Sequence, residues 1–192
     1  MTDTLRTFVD TMTTWLDQAG IPYMLAGSFA STLHGHPRST QDVDIVIDPT
    51  ESALRTFLGF LPEARAYVDQ RTALGALDSR DMFNVIDLET GWKADLIIRK
   101  LRPFSVREFE RRREAQWSGL SIIVVSPEDT VLSKLEWCRL SGGSERQLTD
   151  VAGVVSASGA ALDRAYIEHW VDELRVRAEW AHVLEMTDPE AG

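Results

Sequence analysis

The sequence has one cysteine in 192 residues, Cys138, which excludes an internal disulfide and makes a reducing cytoplasm the expected compartment. No apolar run approaches the ~20 residues that span a bilayer, so no membrane partner is expected. The first residues carry no basic stretch followed by an apolar core, so a signal peptide is not expected. Histidine is scarce and unpatterned. His34 and His36 flank Gly35, and His169 and His182 stand far downstream, a spacing that argues against a zinc site. Basic residues are outnumbered, 20 against 30 acids, leaving a formal net charge of −10. That balance disfavours a protein whose main task is gripping long nucleic acid through its phosphates, and it suits cationic small substrates. It leaves room for a local basic patch, for which Arg111-Arg112-Arg113 is the best candidate.

What is present reads as an α/β half followed by a helical half. Apolar residues Leu5, Phe8, Val9, Met12, Trp15 and Leu16 recur at helical spacing from Thr4 to about Gln18, and Gly20 ends the pattern. Short apolar strands are expected over 22–26 and 42–47. A helix capped near Asp48, with Pro49 at its first position, follows to about Leu61. Residues 71–77 are expected to be helical. Residues 83–88 and 92–98 form a hairpin around Glu89-Thr90-Gly91. Ser105 and Glu108 make a capping box for a helix to about Gln116, and 120–125 is a further strand. Beyond it only helical patterns remain: 126–140, 145–157, and one or two more over 163–185, with Trp170, Leu174, Trp180 and Leu184 as core; the tryptophans in general read as core. The expected fold class is thus α/β (α+β), with a small mixed-sheet domain over 1–125 and a helical domain over 126–192 packed against it.

The chemistry concentrates early. Gly27-Ser28 follows an apolar strand and opens onto a helix, and such a turn with helix amides behind it is a ready phosphate site. Asp42 and Asp44 then begin a strand. Alternate strand residues share a face, so their carboxylates project side by side. Crowded carboxylates repel unless a cation, a shared proton or solvent relieves them, and oxygen ligands suit a hard divalent ion such as magnesium. Asp95 lies among apolar neighbours in the hairpin's second strand, a poor choice for packing alone. Asp87 in the partner strand is its rival as a third carboxylate, and Lys93 two residues before Asp95 tips the preference to Asp95.

Taken together, Gly27-Ser28, Arg38 and Thr40, Asp42-Val43-Asp44, Lys93-Ala94-Asp95, Lys134-Leu135 with Arg139, and Asp150 after Arg146-Gln147 resemble the DNA polymerase beta-like nucleotidyltransferase superfamily. Within it the pattern looks closest to the AbiEii-type group, which includes nucleotidyltransferase toxins of toxin–antitoxin systems. The resemblance implies transfer of a nucleoside monophosphate from a nucleoside triphosphate, such as ATP, to an acceptor. Magnesium, as two ions about 3.5–4 Å apart in sites of this kind, would be held by Asp42, Asp44 and Asp95. Asp95 would also serve as general base. Gly27, Ser28, Arg38, Thr40, Lys134 and Asp150 would attend the nucleotide, with Lys134 a point charge for the triphosphate. The implied acceptor is tRNA or another RNA, and the implied protein partner a cognate antitoxin. Two rival readings stand beside this one: nucleotidylation of a small antibiotic or of a protein, and a non-catalytic nucleotide- or partner-binding module on the same fold.

Overall fold

The computed structural model describes residues 2–35 and 42–188. They fall into two compact units, one built from 2–26 and 42–124 and the other from 27–35 and 125–188. The expected boundary at 125/126 left the short helix after Gly27 in the first half; here that helix packs with the helical residues.

The first unit holds a seven-stranded mixed sheet. Its strands are β1 (Tyr23–Leu25), β2 (Asp42–Ile47), β3 (Ala66–Tyr67), β4 (Met82–Asp87), β5 (Lys93–Ile98), β6 (Arg113–Trp117) and β7 (Leu120–Val124), in the spatial order β3-β4-β5-β2-β1-β7-β6. β2 runs parallel to β5 and β1 parallel to β7, while the other neighbours are antiparallel. Strand parity divides the sheet cleanly. Val43, Ile45 and Ile47 of β2, Ala94, Leu96 and Ile98 of β5, and Phe83 and Val85 of β4 all point to one face and are buried. The first unit's helices α1 (Thr2–Gln18), α3 (Glu51–Phe60) and α4 (Gln70–Ser79) add Phe8, Met12, Leu16, Leu54, Phe57 and Ala73 to its core. The opposite face is only half-covered at Asp42, Asp44 and Val46.

Several local expectations change. Thr50, not Asp48, caps α3: its Oγ1 accepts from the Ala53 amide at 3.2 Å, and Pro49 lies outside the helix. Asp48 is instead held by Arg99 at 2.8 Å and Arg80 at 3.6 Å. The helix expected to reach Gln116 is shorter. α5 spans Pro103–Glu110 with Arg102 at its N-cap and no side-chain cap bond, so the Ser105–Glu108 box does not form. Residues 113–117 are strand β6, folded back on β7 through Ser118 and Gly119, both at positive φ. Helix α4 begins at Gln70 under an Asp69 cap, one residue earlier than the apolar pattern alone places it.

The second unit is helical: α2 (Gly27–His34), α6 (Pro127–Leu140), α7 (Glu145–Ser158), a 3-10 turn at Gly159–Ala161, α8 (Arg164–Glu173) and α9 (Arg177–Thr187). α2 packs on α6 and α7. The contact at its end is tight enough to require glycine, since a Cβ on Gly35 would lie 2.1 Å from the Ala157 Cβ. Ser126 caps α6, accepting from the Asp129 amide at 3.1 Å while donating to its carboxylate at 2.5 Å. Tyr166 of α8 donates to the other oxygen of that buried carboxylate at 2.7 Å. Tryptophan proves a poor guide to this core. Trp180 is buried, Trp170 only half-buried, Leu184 exposed and Trp137 65% exposed; Ile167, Val171 and Val183 fill the interior instead.

Candidate active site

The parallel pairing of β2 and β5 sets Asp42 beside Lys93 and Asp44 beside Asp95. Register partners on adjacent strands project to the same face at a spacing of about 4.8 Å, so three carboxylates and one ammonium share a small area of the half-open face. Lys93 Nζ stands 3.0 Å from Asp95 Oδ1 and 3.6 Å from Asp42 Oδ2. The hydrogen bond to Asp95, reinforced by the charges of Asp95 and Asp42, holds the Lys93 ammonium above the usual lysine range. From the next strand, antiparallel β4, Asn84 lies opposite Asp95 and donates Nδ2 to its Oδ1.

The same register separates the two rivals for third carboxylate. Asp87 lies on the other, buried face and is consumed by the hairpin turn: its carboxylate accepts from the Glu89 amide at 3.1 Å and from Thr90 Oγ1 at 2.8 Å. Asp95 has Asp44 as its neighbour.

Among the described residues no group of three or more His, Cys, Asp or Glu side chains stands close enough to hold a metal ion as it is. Carboxylate oxygens are the kind of donor that suits a hard divalent cation. The donor set is all oxygen, and a positive centre, the Lys93 ammonium, already lies among them.

The remaining residues of the predicted site lie in the second unit or outside the described residues. Gly27 adopts φ +56°, a left-handed conformation that suits glycine, and leads into α2 with Ser28 in its first turn. Lys134 and Asp150 form a buried ion pair between α6 and α7 at 2.7 Å, and Gln147 accepts a second bond from Lys134 Nζ at 3.1 Å. Arg38 and Thr40 lie outside the described residues. Sequence reasoning missed Asn84. The signal was available, because a hairpin turning at 89–91 necessarily brings a residue near 84 opposite Asp95.

No family model matches the chain, and no curated protein sequence does. Solved structures do match. The chain is similar to an antigenic nucleotidyltransferase-like protein from Paracoccidioides brasiliensis, at 18% identity over 95% of this chain and 93% of that one, with a TM-score of 0.58. It is similar to ANT(2'')-Ia in complex with adenylyl-2''-tobramycin, at 12% identity over 91% and 99% of the two chains and a TM-score of 0.62. It also resembles the lincosamide antibiotic adenylyltransferase LnuA in its lincomycin-bound form, at 14% identity over 82% and 98%, with a TM-score of 0.55. At such identities the likeness is one of fold.

Proposed function

We propose that the protein is a divalent-metal-dependent nucleotidyltransferase of the AbiEii-like kind, moving a nucleoside monophosphate from a nucleoside triphosphate to an acceptor hydroxyl. The observation that carries this reading is the register of β2 against β5, which sets Asp44 beside Asp95 with Asp42 on the same face. Asp42, Asp44 and Asp95 would hold magnesium, which when bound supplies charge stabilisation to the displaced phosphate oxygens. Asp95, oriented by Asn84, takes the proton of the acceptor hydroxyl as its oxygen attacks the α-phosphorus. The bond from that phosphorus to the bridging oxygen breaks, and pyrophosphate leaves. Gly27 lets backbone approach phosphate, and the Ser28 amide and hydroxyl donate to it. Arg38, Thr40, Lys134 and Asp150 keep their nucleotide-binding roles, Lys134 as a point charge held in place by Asp150.

For the acceptor, the reading favoured is tRNA or another RNA, within a toxin–antitoxin pair. Residues 99–113 carry seven basic side chains (Arg99, Lys100, Arg102, Arg107, Arg111, Arg112, Arg113) against Glu108 and Glu110, in a chain whose net charge is −10. A local positive tract in an acidic protein is the footprint expected for phosphate contacts. A second reading, a small cationic antibiotic, draws support from the acidic balance and from the fold shared with ANT(2'')-Ia and LnuA. A non-catalytic module is disfavoured by three crowded carboxylates that such a module has no need to keep.

The test offers magnesium and each labelled triphosphate to the protein with total tRNA, tobramycin or lincomycin, and a candidate partner protein in parallel, with Asp44→Asn beside it. Label on tRNA that disappears in the variant supports the favoured reading. Label on the drug or the protein moves the assignment to the second. Nucleotide binding without transfer to any acceptor identifies a non-catalytic module.

A further inference from the structure

Lys93 is the one lysine placed among the carboxylates of β2 and β5, and its contacts are of an unusual kind. It opens β5 directly beside Asp42 and reaches Asp42 Oδ2 at 3.6 Å, Asp95 Oδ1 at 3.0 Å and Asp95 Oδ2 at 3.3 Å. The ammonium thus bridges two of the three carboxylates proposed to hold metal. Its side chain is 37% exposed and that of Asp42 43%, whereas Asp95 is only 12% exposed. The acidic side of the arrangement is anchored: Asp95 is buried, is fixed by Asn84, and rides on a strand hydrogen-bonded on both edges. The lysine side is loose, a point charge on a flexible four-carbon stem with solvent beside it. Ion pairs this exposed are weak and can open.

We infer that Lys93 is a built-in counter-ion: it neutralises Asp42 and Asp95 while they hold no metal, and it vacates them when a divalent ion binds. This rests on the proposed metal site. A divalent ion and an ammonium cannot share the same carboxylate oxygens, because at 3–4 Å two positive centres repel strongly in so partly dry a place. With the metal absent, three carboxylates on one small area need a positive neighbour, and Lys93 fills that need. The exchange keeps Asp42 and Asp95 oriented before metal arrives, at the cost of weaker binding of the metal alone.

The chain's lysine content makes a direct test possible on the unaltered protein. It contains three lysines, Lys93, Lys100 and Lys134; Lys100 is exposed and Lys134 buried. Amine acetylation is followed by mass spectrometry with and without saturating Mn2+, whose binding is measured in the same samples by calorimetry. Lys93 labelling rises about 1.4- to fivefold on Mn2+ addition, the range that ion pairs of this exposure carry. Lys100 and Lys134 stay constant as reference sites, and Asp44→Asn shows no such rise. In parallel, Lys93→Met and Lys93→Gln bind Mn2+ more tightly than the wild type, while Lys93→Arg, which keeps the cation, does not. If Mn2+ binds and depends on Asp44, yet Lys93 labelling and the affinities of the Lys93 variants do not change, the metal site stands and the counter-ion role is wrong. If no protein binds Mn2+, both fall together.

Discussion

Asp87 and Asp95 differ by eight residues and by a face of the sheet, and that difference decides which of them has Asp44 for a neighbour. The sequence left both open, because parity along a single strand says nothing of its register with the next. The structure supplies the register: Asp44 pairs with Asp95, and Asp87 closes a turn on the buried side. Asn84 is the residue-scale consequence. It is exposed, so Asn84→Ala is expected to alter stability by less than about 0.5 kcal/mol. In the proposed reaction it fixes the orientation of Asp95, so the same change lowers kcat about tenfold or more with little change in KM, as loss of positioning does. Steady-state kinetics beside a thermal melt separate the two effects; equal kcat would remove Asn84 from the site. The buried pair Lys134–Asp150 needs a different design. Lys134→Met alone strands a buried carboxylate and should destabilise by about 3–5 kcal/mol, whereas Lys134→Met with Asp150→Leu should recover most of that. If Lys134 attends the nucleotide, the refolded double variant is inactive; if its activity matches the wild type, the pair is scaffolding alone.

At the scale of elements, periodicity read the long patterns well. Helices α1, α6 and α7 and strands β2, β4, β5 and β7 stand within a few residues of their expected ranges, because each has an apolar stripe or alternation strong enough to survive tertiary context. The failures have physical causes. β6 reads Arg-Glu-Ala-Gln-Trp, with little apolar content, and is a strand only because β7 supplies its hydrogen bonds and Ser118-Gly119 supplies the positive φ of a tight turn. β3 is two residues long at the sheet edge. In the helical unit, the lack of a Cβ on Gly35 is what admits Ala157. Gly35→Ala should therefore cost about 2–4 kcal/mol, through the clash and the φ of +142° together, measurable by denaturant unfolding. The pairing of α8 with α9 is electrostatic as well as apolar. Arg177 and the Trp180 indole both donate to Glu168, and these bonds, the arginine's first, hold its carboxyl below the ordinary glutamate range. A depressed folded pKa contributes stability above the ordinary value of about 4.3, and that contribution is lost as pH falls through the lower folded value. Acid melting curves of Glu168→Gln should accordingly be shallower than those of the wild type below pH 5 or so. Identical slopes would mean the pair contributes nothing to the acid transition.

For the whole molecule, the overall charge and the local charge point in different directions for the acceptor. The net charge of −10 is spread over the chain, while residues 99–113 alone carry a surplus of five positive charges. If RNA is bound through that tract, the logarithm of affinity falls linearly with the logarithm of salt. Arg111→Gln with Arg113→Gln then reduces the slope by about 1.4–1.8, near 0.7–0.9 for each phosphate no longer neutralised. An unchanged slope would place RNA elsewhere or nowhere. The identity of the acceptor was not legible from the sequence, and fold does not supply it, since one fold serves many acceptors. The likeness to solved structures covers more than four-fifths of the chain and speaks for the scaffold.

The claim on which the rest depends is that Asp42, Asp44 and Asp95 work as one metal-dependent set. Pyrophosphate release from a nucleoside triphosphate in the presence of whichever acceptor takes label, titrated with magnesium and run on the wild type and Asp44→Asn, tests it most directly. Release is expected in step with label on the acceptor, absent without magnesium and reduced at least about a thousandfold by the substitution. Release that persists undiminished in Asp44→Asn, or that needs no divalent ion, would contradict it.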